Sequence, residues 1–151
     1  MVEAIRVDQE AMKVSLDLPG TPDMSLAMNR ILHGGAKMPI QQLRGMHYAK
    51  VRKAKEQYAM EIMVALQRQD VQDWKDRHLP PVRVLFVVRY KDQRKRDADG
   101  ILQALKHCID ALVSPCGLLQ DDGPPIVQEL SVKVLLGQHR DGTEIVMEEV
   151  R

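Results

Sequence analysis

Four carboxylates mark the two ends of one short stretch: Asp97 and Asp99 open it, and Asp121 and Asp122 close it. Aspartates gathered in this way meet the needs of a divalent-cation site, because Mg²⁺ prefers hard oxygen ligands and takes only a few of them from protein. Arg94, Lys95 and Arg96 immediately precede the first pair, so the residue types point to metal-assisted work on a phosphate. Spaced at i, i+2, Asp97 and Asp99 project to one side if their backbone is extended.

The element between the two acidic pairs must position them. Ile101, Leu105, Cys108, Ile109 and Leu112 recur at helical spacing, which predicts an amphipathic helix over 100–113 with Asp99 as its N-cap and Pro115 and Gly117 marking its end. Such a helix is about 21 Å long at 1.5 Å per residue. The segment from Ser114 to Asp121 reaches at most about 26–29 Å when extended. The second pair therefore joins the first only by a nearly straight return, by a following strand that brings it back, or from a second subunit. The same residues also admit a plain account in which Asp99 caps a helix, Asp97 sits in a loop and Asp121-Asp122-Gly123 makes a turn. A third account is the phosphohydrolase pattern, in which D-x-D ends an apolar strand and a small residue follows; here KDQRKR precedes the aspartates and Ile101 stands where Thr or Ser is expected.

Around this stretch, Val14, Leu16 and Leu18 alternate with Ser15 and Asp17 and predict a half-buried strand, ended by Pro19, Gly20 and Pro22. Residues 19–44 carry Gly34, Gly35 and Pro39 with little periodicity, and so long an irregular segment in a small domain is expected near a site. Residues 45–69 favour helix, with Tyr48, Val51, Tyr58, Ile62 and Leu66 on one broad face; 70–78 either extend it or form a separate turn around Trp74. Pro80 and Pro81 stop any helix, and Val82–Tyr90 reads as the central strand. Alternation resumes over 126–136 and again over 143–150, two strands expected to form an antiparallel pair. The order strand, helix, strand, helix, strand, strand predicts a single α+β, or mixed α/β, domain over 1–151 with helices on one face of a sheet.

The composition of 151 residues, 44% hydrophobic and 28% charged, suits one globular unit with an aliphatic core. With aromatics at 3% there are few rings on which unpaired bases could stack, which argues against a single-strand stacking platform. The net charge of +1 gives no global attraction to nucleic acid, but cations cluster locally at Lys50, Arg52, Lys53 and Lys55 and from Arg89 to Arg96, while Glu144, Glu148 and Glu149 make an acidic end. Two cysteines, Cys108 and Cys116, make neither a disulfide framework nor a thiolate zinc site. A charged N-terminus and the lack of any long apolar run predict a cytoplasmic protein with no membrane partner.

The stretch from Arg96 to Asp122 resembles the RusA family of Holliday junction resolvases, in particular its phage-type members. That family opens a helix with R-x-D-x-D-N, carries a lysine and a D-A-L or D-G-L triplet along it, and places an acidic pair after a glycine-containing loop. Here the residues are Arg96-Asp97-Ala98-Asp99-Gly100, Lys106, Asp110-Ala111-Leu112, Gly117 and Asp121-Asp122. The loop LPGTPDMSLAMNR and the segment HYAKVRKAK look like the family's N-terminal loop and basic first helix. Gly100 replaces the usual Asn, and Gln103 holds a position where some members carry the lysine; aligning from the D-A-L triplet brings Lys106 there instead.

The resemblance implies a Mg²⁺-dependent endonuclease, with Mn²⁺ as a substitute ion, that resolves four-way DNA junctions in recombination, repair or phage DNA processing. It implies Asp97, Asp99 and Asp122 as metal ligands, Asp121 as an auxiliary ligand, and Lys106 as a contact to the scissile phosphate. It further implies a homodimer with two identical sites, and branched DNA held at its backbone by Lys50, Arg52, Lys53, Lys55, Arg94, Lys95 and Arg96. Two rival functions stay open: a branched-DNA-binding protein that has lost catalysis, and a metal-dependent phosphohydrolase acting on small phosphates.

Overall fold

The computed structural model describes residues 10–26 and 40–150, with the backbone alone for 40–47. The elements are β1 (Lys13–Leu18), a 3-10 turn (Met24–Leu26), α1 (Ile40–Ala65), α2 (Gln69–Arg77), β2 (Val82–Arg89), α3 (Ala98–Ala104), α4 (Lys106–Val113), β3 (Val127–Leu135) and β4 (Gly142–Glu149). They form the expected single α+β domain, a four-stranded mixed sheet with helices on one face. Of the long irregular segment predicted over 19–44, residues 27–39 lie outside the described residues, and helix already begins at Ile40.

The alternation read from β1 holds, with Val14, Leu16 and Leu18 all buried. The same face continues through Val82, Val84, Phe86 and Val88 of β2 and Ile145 and Met147 of β4, and it closes on Ile62, Val71, Trp74, Ile101, Leu105 and Leu112 from the helices. Burying one face of a sheet against apolar helix stripes is the main favourable term in such a fold. The opposite face is laced by cross-strand ion pairs, Arg89 with Glu144 at 3.0 Å and Arg83 with Glu129 at 3.6 Å.

Strand pairing departs from the expected β3–β4 hairpin. The order across the sheet is β1-β4-β2-β3, with β4 antiparallel to both β1 and β2, and β3 parallel to β2. Burial explains the exchange. In β4 every second residue (Thr143, Ile145, Met147 and Glu149) is buried, which fits an interior strand, whereas Gln128, Glu129, Leu130 and Lys133 of β3 are exposed and suit an edge. The parallel partner for β2 is reached through α3 and α4, the kind of long crossover that parallel pairing requires.

Glu149 therefore belongs to the core, not to an acidic surface. Its Oε1 accepts from the Met12 N–H at 2.8 Å and its Oε2 from the Leu79 N–H at 2.7 Å, so the buried carboxylate is satisfied by two backbone donors. Residues 70–78 resolve into the separate helix α2: the first helix ends at Ala65, and the Gln72 side chain covers its end by donating to the Leu66 carbonyl at 2.8 Å. Tyr48, read as part of the buried face of that first helix, is 73% exposed.

Candidate metal and phosphate site

The helix predicted over 100–113 is two shorter ones, interrupted at Leu105, whose ψ of −9° tightens the turn there. Its N-cap is Asp97 and not Asp99. Asp97 is extended (φ −94°, ψ 109°) and its Oδ1 accepts from the Asp99 N–H at 3.1 Å, while Asp99 already lies in the first helical turn. One aspartate is thus extended and the other helical, so the shared direction expected of an extended i, i+2 pair is lost.

Gly100 is buried against the start of this helix. A Cβ there would lie 3.0 Å from the Met24 methyl and 3.4 Å from Asp97 Oδ2. A side chain at position 100 would need the end of Met24 to give by a few tenths of an ångström.

The return of the chain is tight. Gly117 adopts φ +67°, a conformation that favours glycine. The N–H groups of Leu118 and Leu119 then both donate to the Leu112 carbonyl, at 2.8 and 3.3 Å. Trp74 of α2 holds this segment by donating from Nε1 to the Leu118 carbonyl at 2.9 Å, and its ring stacks on His78 with centroids 4.4 Å apart. His78 Nε2 in turn meets Gln120 Oε1 at 3.2 Å. The chain is thereby positioned one residue before Asp121.

The outcome is a cavity of about 410 Å³ whose lining includes Asp99, Gln103, Lys106 and Asp122, with Leu102, Ile109, Val127 and Leu130 among its apolar walls. It draws on α3, α4, the 114–126 return and β3. Asp97 and Asp121 lie outside that lining. Asp121 instead turns its Oδ1 to the Asp122 N–H at 2.8 Å. Among the described residues, no group of three or more His, Cys, Asp or Glu side chains is gathered as a metal cluster.

Gln103, noted in the sequence only as standing where a lysine is expected, takes a place in this lining. Its Nε2 donates to Asp99 Oδ2 at 3.3 Å, and its Oε1 is buried with no hydrogen-bond partner among the described residues. The i, i+4 spacing from Asp99 on a helix was the available signal. An orphaned amide oxygen in a lining that also carries two carboxylates offers oxygens of the hard kind, and Mg²⁺ commonly takes only one or two carboxylates from protein, completing its shell with water and phosphate. The residues present fit such an ion in type and number.

The candidate DNA contacts divide. Arg52, Arg94 and Lys95 are exposed. Lys50 and Lys53 border a different cavity, of about 450 Å³, with Asp23, Tyr58 and Glu61. Lys55 is half-buried and pairs with Asp110 at 3.1 Å, which ties the D-A-L triplet to α1. Arg96 is engaged within the chain: its guanidinium grips both Asp92 oxygens and lies 3.6 Å over the Tyr90 ring.

That clasp makes a pH prediction. Hydrogen bonds from Arg96, and then from the Arg94 N–H, hold the Asp92 carboxyl at about 2, below the ordinary 3.8. Because the folded value is the lower one, the clasp contributes fully above about pH 4 and is lost as pH falls through about 2. A carboxyl NMR titration of Asp92 should show a midpoint near 2, moving back toward 3.8 in Arg96→Ala.

Both cysteines are free and buried, and burial pushes the Cys108 thiol far up, so neither is a thiolate ligand or nucleophile. No helix among the described residues is long and apolar enough to cross a membrane. Compared with models of known protein families and with characterised proteins, the chain matches none.

Proposed function

We propose that this chain is a cytoplasmic, Mg²⁺-dependent, structure-specific endonuclease of the RusA type that resolves four-way DNA junctions as a homodimer. The observation that carries the reading is the cavity shared by Asp99, Lys106 and Asp122, residues from separate elements that the resemblance had assigned to one site. In this reading Asp99 and Asp122 hold the ion, with Gln103 Oε1 beside them, Mn²⁺ can replace it, and Asp97 and Asp121 support the two ligands through the backbone hydrogen bonds described above. When bound, Mg²⁺ polarises the scissile phosphate and acidifies an attacking water. Lys106, exposed on the first turn of α4, supplies a cation to the phosphoryl oxygens as charge builds there. Leu102, Ile109 and Val127 form the apolar wall beside those charges.

Arg94 and Lys95, exposed just before the first aspartate, hold the DNA backbone with Arg52, and Lys50 and Lys53 extend the contact on α1. Two incisions of opposite symmetry follow from two identical sites related by a two-fold axis.

The test is cleavage of a labelled mobile four-way junction, with a linear duplex of the same sequence alongside. Paired nicks near the crossover in Mg²⁺, none in EDTA and none on the duplex are the expected result. A junction that is bound yet left intact in both Mg²⁺ and Mn²⁺ would favour the non-catalytic DNA-binding reading. Turnover of a generic phosphomonoester without regard to DNA structure would favour the phosphohydrolase.

A further inference from the structure

β3 lies at the edge of the sheet, and the phase of its peptide groups can be read from the fold. β3 is nine residues long and, among the described residues, pairs with β2 alone, so its other side ends the described sheet. An open edge of that length is a template for another strand. Its phase is set by the Tyr90 N–H, which donates to the Leu135 carbonyl at 2.9 Å. With a period of two, Glu129, Ser131, Lys133 and Leu135 turn their peptide groups toward β2, and Leu130, Val132 and Val134 turn theirs outward.

An antiparallel neighbour must match outward groups with outward groups. For β3 facing its own copy, the two-fold axis must then pass through a residue and not between residues. Centred on Ser131, the pairing sets Glu129 opposite the partner's Lys133 and Lys133 opposite the partner's Glu129, with Leu130 opposite the partner's Val132. The charged residues fall in non-hydrogen-bonded pairs, where side chains approach most closely. Centring on Leu130 or Val132 leaves Glu129 facing Ser131 or Leu135, and centring on Glu129 or Lys133 sets like charges together.

We propose that a second copy of this chain pairs along β3 in the Ser131-centred register, joining two four-stranded sheets into one continuous sheet of eight strands. Self-complementary charge selects a copy of this chain as the occupant over an unrelated strand. Leu130, 40% exposed in the single chain, is covered by this pairing. Val127, Gln128 and Leu130 also line the Asp99 cavity, so the two candidate sites would flank the axis. The proposal takes the two-subunit arrangement from the functional reading above and names the surface that makes it. Its test reads mass and not cleavage, so the failure of either is seen separately.

Sedimentation of the full chain over a dilution series should give twice the 17.2 kDa chain mass. Glu129→Lys alone and Lys133→Glu alone each replace two opposite-charge pairs by two like-charge pairs and should weaken association by roughly tenfold or more. An equimolar mixture of the two single variants should associate again, because a chain with lysine at both positions meets one with glutamate at both. The combined variant should recover the wild-type mass. Glu129 also holds Arg83 within its own chain, and recovery in the mixture shows that loss in Glu129→Lys alone is not misfolding. A wild type that stays at the single-chain mass throughout, single variants that associate like the wild type, or a mixture that fails to recover would each overturn the proposal.

Discussion

Asp99→Asn is expected to reduce junction cleavage in Mg²⁺ by about 10²–10³-fold or more, while leaving junction binding in EDTA and the melting temperature close to wild type. The separation follows from where Asp99 sits. It is exposed in the first turn of α3, and among the described residues its one hydrogen bond from a side chain comes from Gln103 Nε2, which an asparagine oxygen can accept equally well. The N-cap function belongs to Asp97, so the helix start does not depend on the charge at position 99. A substitution of this kind outside the core changes stability by only about 0.5 kcal/mol in either direction. The amide oxygen carries no formal charge and holds a hard cation more weakly than a carboxylate does, a deficit that appears only in reactions run with the ion. Gel shift in EDTA, cleavage in Mg²⁺ and a thermal melt on the same preparation check the three parts. Cleavage equal to wild type would return Asp99 to a helix-start role and remove the cavity from the argument.

Trp74→Ala should cost about 3–5 kcal/mol of folding stability, the range for deleting a large buried aromatic. Trp74 is fully buried, bonded to the Leu118 carbonyl and stacked on His78, and it belongs to the cluster that joins α2 to the sheet. Its loss leaves a cavity, an unpaired carbonyl and a loosened 118–120 segment directly before the second acidic pair. Against a domain stability of about 5–15 kcal/mol the loss is a large share. Urea unfolding followed by far-UV circular dichroism measures it, since the substitution removes the chain's one tryptophan. Trp74→Phe should retain most of the packing and lose chiefly the hydrogen bond, so its cost should fall well below that of alanine. Equal costs for the two would mean that the indole N–H, and not the ring's volume, dominates.

Much of this was legible in the sequence because it rests on local patterns. Alternation located β1, β3 and β4, and a β-branched run after two prolines located β2, each to within a residue or two, while the apolar spacing from Ile101 to Leu112 located the helical region between the acidic pairs. What the sequence did not disclose is what depends on distant partners. Pairing of β3 with β2, and of β4 with β1 and β2, is decided by which strand can bury both its sides in the sheet. The adjacency of β3 and β4 in the chain suggested a hairpin that this competition excludes. The N-cap moved from Asp99 to Asp97 because D-x-D offers two capping side chains within three residues, and only backbone geometry chooses between them.

The site was legible in part. Asp99, Lys106 and Asp122 share a lining, but Asp97 is drawn into capping and Asp121 into a turn bond, competitions that residue type alone cannot resolve. Arg96 was grouped with surface cations because three basic residues stand in a row, yet Asp92 and Tyr90 claim it. Gln103 was noted only as standing where a lysine is expected, because an amide looks neutral in sequence and becomes notable only when one oxygen is buried without a donor.

The order of strands also bears on how the chain can be made. Among the described residues β1 pairs with β4 alone, with Lys13 facing Glu148, so two strands far apart in the chain must meet. Pairings between such distant segments form slowly, because the loop must close before any contact rewards it. Until residues 142–149 emerge, β2 lacks the neighbour on one side and the apolar row Val14, Leu16 and Leu18 has no strand beside it. The sheet is thus completed only once β4 is available, and a nascent chain paused before Gly142 would present that row to whatever factors attend unfinished proteins.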